Sequence, residues 1–309
     1  MLDISVIVAT QNRARFLEPC LVSLCEQTLD PSRFEICVVN NNCTDDTPEI
    51  VAKVAAHYPK HKLFMVCEPV AGLSRARNCG LAATSAPLAA NIDDDGTVYP
   101  DWLELFIARF AEFGPELAVV SGEIEPVWGA PRPSWLTDDM LQPLSAKTAL
   151  GTGARFISDK EWLMEGNACY RRSALQAAGG YPENLGRVGD MLLSCEGTAL
   201  AYRIRQNAGR EFFDPKIILR HFIHADRLTP SWFRRRYFWQ GVSDYAMRLY
   251  HIKHNIAVKN EMRIDLPLNP ADWQFINKET AENLEANLWH FQCLGFALAM
   301  TGLLPVRNI

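Results

Sequence analysis

Four short apolar runs, residues 4–9, 35–39, 63–66 and 88–92, alternate with stretches of helical spacing along the early part of the chain. The first, rich in β-branched residues, reads as a central strand. After it, residues 16–27 place Leu17, Leu21 and Leu24 on one helical face. A second helix, Thr47–His57, opens with Thr47 as cap and Pro48 in its first turn, where a missing N–H costs nothing. Leu73–Ala83 is helical in composition. Strands and helices alternating at this interval specify a parallel, twisted sheet with helices on both faces. Three polar clusters, 10–13, 40–46 and 93–95, each follow a strand. In a parallel sheet all three share one edge, and ligands bind beyond the carboxyl ends of such strands.

The third cluster is Asp93-Asp94-Asp95, delivered by the apolar residues 86–92 and followed by Gly96. Carboxylates crowded at the end of a buried strand repel one another, and a divalent cation resolves the repulsion. Oxygen-rich sites of this kind suit Mg²⁺ or Mn²⁺, whose shells are completed by substrate phosphates. The expected client is therefore a diphosphate-bearing small molecule. The competing reading is a solvated acidic turn or a helix cap. A net charge of −5 leaves no basic excess to neutralise a nucleic-acid backbone. Nine cysteines without a C-x-x-C pair argue against a zinc site or a disulfide framework and fit a reducing cytosol. The first residues lack the charged and apolar regions of a signal peptide. The apolar stretch 294–306 spans 13 residues, interrupted by Gly295, Gly302 and Pro305, against roughly 20 needed to cross a bilayer. It reads as a packed helix, with peripheral membrane contact through the C-terminal helices as the lesser alternative.

Further along, Trp102–Phe113 has helical spacing, and residues 117–122, 165–170 and 212–219 look like strands, with helices near 172–178 and 197–207 between the last two. The Pro- and Trp-rich stretch 125–160 is too long for a simple connection, and such loops often serve as binding loops or lids. Beyond His224 the pattern turns helical, most clearly over 232–250, with Thr229 able to cap a helix starting at Pro230. Two regions are expected: 1–225, carrying the sheet, and a helical extension, 226–309.

Seven elements in this order resemble the family 2 glycosyltransferases over roughly residues 3–225. They are Ser5-Val6-Ile7-Val8-Ala9-Thr10-Gln11-Asn12-Arg13, Val38-Val39-Asn40-Asn41-Asn42-Cys43-Thr44-Asp45-Asp46-Thr47, Gly72-Leu73-Ser74-Arg75-Ala76-Arg77-Asn78, the aspartate triplet, Gly179-Gly180-Tyr181, Ser194-Cys195-Glu196-Gly197-Thr198 and Leu219-Arg220-His221. The resemblance implies an α/β GT-A-type fold, a mostly parallel twisted sheet with helices on both faces plus the C-terminal helical extension. It implies an inverting transferase that moves a sugar from a nucleoside diphosphate sugar to a hydroxyl acceptor. Mn²⁺ or Mg²⁺ would be held by Asp95, with Asp93 and His221, and His224 is the competing histidine. Thr10, Asn12, Arg13, Asn40, Arg77, Asp93 and Asp94 would line the nucleotide site.

Two departures stand out. Relatives commonly carry Asp where this chain has Asn40, so a UDP-sugar is favoured while GDP- and dTDP-sugars stay open. They also carry an Asp after the glutamate of the Ser194–Thr198 element; here Gly197 takes that place, and Glu196 is left as the catalytic base. Arg227 and the run Arg234-Arg235-Arg236 suit a pyrophosphate or a lipid-linked acceptor, because guanidinium forks match phosphate, or equally a solvated face or anionic lipid headgroups. Three consecutive helical residues point apart, so at most one or two of the run reach a single site. The implied acceptor is a glycan, a lipid-linked saccharide or another small hydroxyl compound of a bacterial envelope pathway. The implied location is the cytoplasm, at the inner membrane face if the extension touches lipid. Two alternatives compete: a non-catalytic sugar-nucleotide binder, favoured by Gly197, and a sugar nucleotidyltransferase, disfavoured because residues 10–15 contain no glycine.

Overall fold

In the computed structural model, which describes residues 1–256 and 284–304, the four early runs form β1 (Ile4–Thr10), β2 (Phe34–Asn40), β3 (Lys62–Cys67) and β4 (Leu88–Asp93). They pair in parallel in the order β3-β2-β1-β4. Side chains alternate across β1: Ile4, Val6 and Val8 pack into one apolar cluster with Leu17, Leu21 and Leu24 of α1 (Ala14–Cys25). Ile7 packs into the opposite cluster with Ala76 of α3 (Leu73–Ala83). Both faces are covered, which is why apolar residues occupy both alternations of the strand. The helix α2 (Thr47–His57) is as expected in extent, but Asp45 rather than Thr47 binds its first turn, accepting from the Thr47 hydroxyl at 2.6 Å. Thr10 aligns with Asn40 and Ala9 with Asp93, so the three polar clusters do share one edge.

The second half of the sheet is mixed. After the aspartates come β5 (Gly96–Val98), α4 (Trp102–Phe113), β6 (Leu117–Trp128), β7 (Arg155–Phe156), β8 (Asn167–Arg171), α5 (Arg172–Ala177), α6 (Glu196–Gln206) and β9 (Arg210–Ile223). β8 lies antiparallel between β4 and β6, β6 runs parallel to β9, and β5 and β7 pair antiparallel with β9. The strand expected over 165–170 begins only at Asn167, so Glu165 stays in the turn before it. The strand expected to end at 219 continues to Ile223 and carries His221.

The β6–β9 ladder breaks between Gly122 and Glu123, where the partner jumps from Asp214 to Ile218. Only glycine fits there, because a Cβ at 122 would lie 1.7 Å from the Ile217 carbonyl oxygen. The fully buried Asn167 closes the gap. Its Nδ2 donates to the Glu123 and Ile217 carbonyls, each at 2.9 Å, and its Oδ1 accepts from Trp102 Nε1 at 2.8 Å.

Beyond β9 the described residues are helical. The Thr229 hydroxyl accepts from the Trp232 N–H at 3.3 Å and caps α7 (Pro230–Lys253), against which α8 (Leu284–Met300) packs. Stretch 125–160 is anchored rather than free: Leu136, Met140 and Leu144 pack with Phe233 of α7 and Leu284 of α8. Val242, Ala246 and Tyr250 of α7 pack onto Leu185, Leu193 and Ala199. Residues 257–283 and 305–309 of the extension lie outside the described residues. No helix among the described residues is long and apolar enough to cross a membrane.

Asn167→Ala should destabilise the protein by about 3 kcal/mol or more in chemical denaturation, since it strands three buried partners at roughly 1–3 kcal/mol each.

Candidate active site

The Asp94-Asp95 turn leads from β4 directly into β5, and β5 pairs with β9 so that Gly96 faces His221. The Phe222 N–H donates to the Asp95 carbonyl at 3.0 Å and fixes that register. Asp95 is thereby pressed between two histidines. Its Oδ2 accepts from His224 Nε2 and from Arg13 Nη1, both at 2.8 Å. Its Oδ1 is buried with no hydrogen-bond partner, although His221 Nε2 lies 3.3 Å away, out of line for a bond. His221 Nδ1 donates to the Ser145 carbonyl at 2.9 Å, which leaves Nε2 as the nitrogen facing Asp95. Burial pushes the Asp95 carboxyl up, but the two histidines and Arg13 outweigh it and hold the group well below the usual carboxylate range. For Asp94, burial prevails: despite its 2.8 Å pair with Arg13, the group is pushed up to about 6.

Asp93 is the open member of the triplet, its side chain 36% exposed against 4% and 1% for Asp94 and Asp95. Asp93, Asp95 and His221 offer ligand atoms within 4.8 Å of one another. Two carboxylates, one of them with an orphaned oxygen, and an imidazole nitrogen left facing them by the hydrogen bond at Nδ1 are a donor set that fits a divalent metal ion.

A cavity of about 460 Å³ opens over this group, within the range of small-molecule sites. Thr10, Arg13, Arg77 and all three aspartates line it. Arg77, on the buried face of α3, spans its floor. Nη1 lies 2.7 Å from Glu165 Oε2 and 3.4 Å from Glu196 Oε1, and Nη2 lies 3.6 Å from Asp93 Oδ1. Against the penalty of burial, Glu165 and its neighbours hold the Arg77 guanidinium charged. Glu165 is pushed up to about 7, first by burial and also by the nearby Glu196 and Asp93, with Arg77 opposing.

Three more arginines line the cavity, one of them, Arg227, with its Nη2 3.9 Å from Asp95 Oδ2. Arg187, Arg227 and Arg236 all face the cavity. Arg236 Nε and Nη1 are buried without hydrogen-bond partners. Burial, then mutual repulsion with Arg236 and Arg227, pushes Arg187 down to about 9. Burial likewise lowers Arg227 and Arg236. Of the run 234–236, Arg236 reaches the cavity, while the exposed Arg235 donates to the Asp190 carbonyl. Partly desolvated guanidiniums around one space, with Arg236 nitrogens left unbonded, make an anion site.

Two residues assigned to the nucleotide site stand elsewhere. Asn12 Oδ1 accepts from the Thr44 N–H at 2.7 Å, and Asn40 Oδ1 accepts from the Cys43 N–H at 2.8 Å. Both brace the loop after β2, because their short amides satisfy local backbone groups first. Asn41 takes the place on the cavity wall and holds the Gly72 N–H at 2.8 Å. Sequence reasoning missed Glu165 and Arg187. The signal for Glu165 was a charged residue leading into an apolar strand, with Gly166 behind it; Arg187 carried no signal.

A model of glycosyl transferase family 2 matches residues 5–175. The glucosyl-dolichyl phosphate glucuronosyltransferase of Haloferax volcanii is 25% identical over 258 residues, covering 81% of this chain and 79% of that protein. Among solved structures, a mannosyltransferase of Pyrobaculum calidifontis in complex with GDP-Man and Mn²⁺ superposes with a TM-score of 0.59 at 21% identity, covering 98% of this chain and 76% of that one. S. aureus TarS 1-349 in complex with UDP-GlcNAc gives 0.57 at 17% identity, covering 97% and 92%. The fold is GT-A.

Manganese titrated calorimetrically into the protein should bind saturably. Asp95→Asn should abolish the heat, and His224→Ala, which removes only an outer hydrogen bond to Asp95, should weaken binding about 10–100-fold. Unchanged affinity in Asp95→Asn would place the ion elsewhere.

Proposed function

Since the chain belongs to glycosyl transferase family 2, we propose that this glycosyltransferase moves a sugar from a nucleoside diphosphate sugar to a hydroxyl acceptor with inversion at the anomeric carbon. The observation that carries this reading is that one cavity holds both a carboxylate–histidine group that fits a divalent metal and three arginines, Arg187, Arg227 and Arg236. A diphosphate matches both sides at once. A metal held by Asp93, Asp95 and His221 would stabilise charge on the departing diphosphate. Arg13 and His224 keep Asp95 ionised and oriented, while Arg187, Arg227 and Arg236 take phosphate oxygens. Arg77 holds two carboxylates, Glu165 and Glu196, beside the place where an acceptor hydroxyl must lose its proton.

Mn²⁺ is the first ion to test, because the Pyrobaculum mannosyltransferase was solved with it. Solved neighbours carry GDP-Man or UDP-GlcNAc, so UDP- and GDP-sugars both belong in the donor panel, with UDP first. For the acceptor we infer a saccharide hydroxyl on a lipid carrier. The glucuronosyltransferase relative is named for a dolichyl phosphate substrate, and the exposed Ile252, Trp289, Met300 and Leu303 all fall on the C-terminal helical extension. Those side chains suit contact with a membrane surface.

Incubation with Mn²⁺ and a panel of sugar nucleotides should release free nucleoside diphosphate, and EDTA should stop it. Arg236→Ala should raise the donor KM about 10–100-fold, as expected for one charge-assisted hydrogen bond of roughly 1.5–3 kcal/mol. Binding of donors without turnover would instead support a sugar-nucleotide-binding protein.

A further inference from the structure

We propose that Glu165 is the general base of the transfer, its carboxylate occupying the volume that a side chain at position 197 would fill. This rests on the glycosyl-transfer reading above. A Cβ built on Gly197 would lie 1.8 Å from Glu165 Oε1 and 1.9 Å from its Cδ. The helix α6 thus begins with a gap in its side-chain surface, and a carboxylate from another segment fills that gap. Glu165 reaches it because Gly166 lets the chain pass directly against Asp93; a Cβ at 166 would lie 2.4 Å from Asp93 Oδ2.

The local contacts divide the labour between the two glutamates. Glu165 Oε2 is fixed by Arg77 Nη1 at 2.7 Å, while its Oε1, against Gly197, has only a long hydrogen bond from the Tyr170 hydroxyl at 3.4 Å, so one oxygen is anchored and the other is weakly held. Glu196 shares Arg77 at 3.4 Å and also interacts electrostatically with Arg187 and Arg236, which makes it a counter-ion of those arginines. Burial pushes Glu165 up to about 7, near the value at which a general base is most effective. In the step itself, the acceptor oxygen forms its bond to C1 as the bond from C1 to the diphosphate oxygen breaks. The hydroxyl proton passes to Glu165, and the electron pair of the broken bond leaves with the nucleoside diphosphate.

The test uses full-length protein with Mn²⁺, the donor that the wild type turns over and its acceptor. Glu165→Gln should lower kcat at least about 100-fold, in line with general-base contributions of 10²–10⁴, while the thermal shift given by the nucleoside diphosphate with Mn²⁺ stays intact. The double variant Glu165→Gly with Gly197→Asp returns a carboxylate to the same volume from the other segment. It should exceed Glu165→Gly alone by at least about tenfold in kcat. Position 197 accepts the change because removing the Glu165 side chain clears the clash. The proposal is overturned if Glu165→Gln turns over within about threefold of wild type. It is equally overturned if the folded double variant is no better than Glu165→Gly. A wild type that releases no nucleoside diphosphate from any donor would overturn the transferase reading instead.

Discussion

Asp94 and Asp95 are consecutive, buried carboxylates, and the repulsion between them governs what the rest of the site must supply. At an effective dielectric near 20, two such charges about 5 Å apart cost about 3 kcal/mol. The protein answers unequally. Asp95 receives Arg13, His221 and His224 and is held well below the ordinary carboxylate range. Its contribution to stability is present above the unfolded carboxylate pKa and fades as pH falls. Asp94 goes the other way, up to about 6. Its environment favours the protonated form, so that contribution is present below about pH 4 and is lost as pH rises through about 6. At neutral pH the turn therefore carries strain that added positive charge relieves, which gives physical reason to expect a cation beside Asp95.

Strand pairing turns this electrostatic demand into geometry. The ligand candidates come from β4, the turn after it and β9, and they meet because β5 pairs antiparallel with β9 in one register. A slip of one residue would send His221 to the other face of the sheet. The ladder break at Gly122, plugged by Asn167, lets β9 pair with β6 on both sides of the irregularity before it reaches β5. Asn167 also follows Glu165 and Gly166 in the chain. The residue that closes the sheet thus fixes where the lead-in carboxylate sits.

The parallel half of the fold was legible because each strand there is apolar on both faces and each ends in polar residues. Asp93, Asp95 and His221 were legible for the same reason, as polar groups at strand ends. The mixed half was harder. β8 runs against its neighbours, β9 is interrupted at 215–217, and periodicity carries no sign of direction. Glu165 was read as part of a strand because it abuts one. Asn12 and Asn40 were read as ligand contacts by position, yet short amides at strand ends bind local backbone when a turn offers it. Arg187 is four residues past Glu183 in an irregular segment, and only the tertiary packing of α7 brings Arg236 beside it.

Gly197 shows how one volume in a fold can be reached from two segments of the chain. Proton acceptance depends on a carboxylate at a point in space with a suitable field around it, and the fold fixes that point more tightly than it fixes which segment reaches it. A side chain at 197 and the side chain of Glu165 are mutually exclusive occupants of one volume, since they would overlap at 1.8 Å. A glycine there is therefore a steric requirement of Glu165 rather than the loss of a functional group. The same exclusion ties Arg77 to the arrangement: with Glu165 it forms its shortest ion pair, and that pair keeps a buried guanidinium compensated, while Arg236 Nε and Nη1 are left without hydrogen-bond partners. The Arg77 pair with Glu165 and the bare Arg236 nitrogens thus leave the cavity with both a held carboxylate and donors still open to an anionic group.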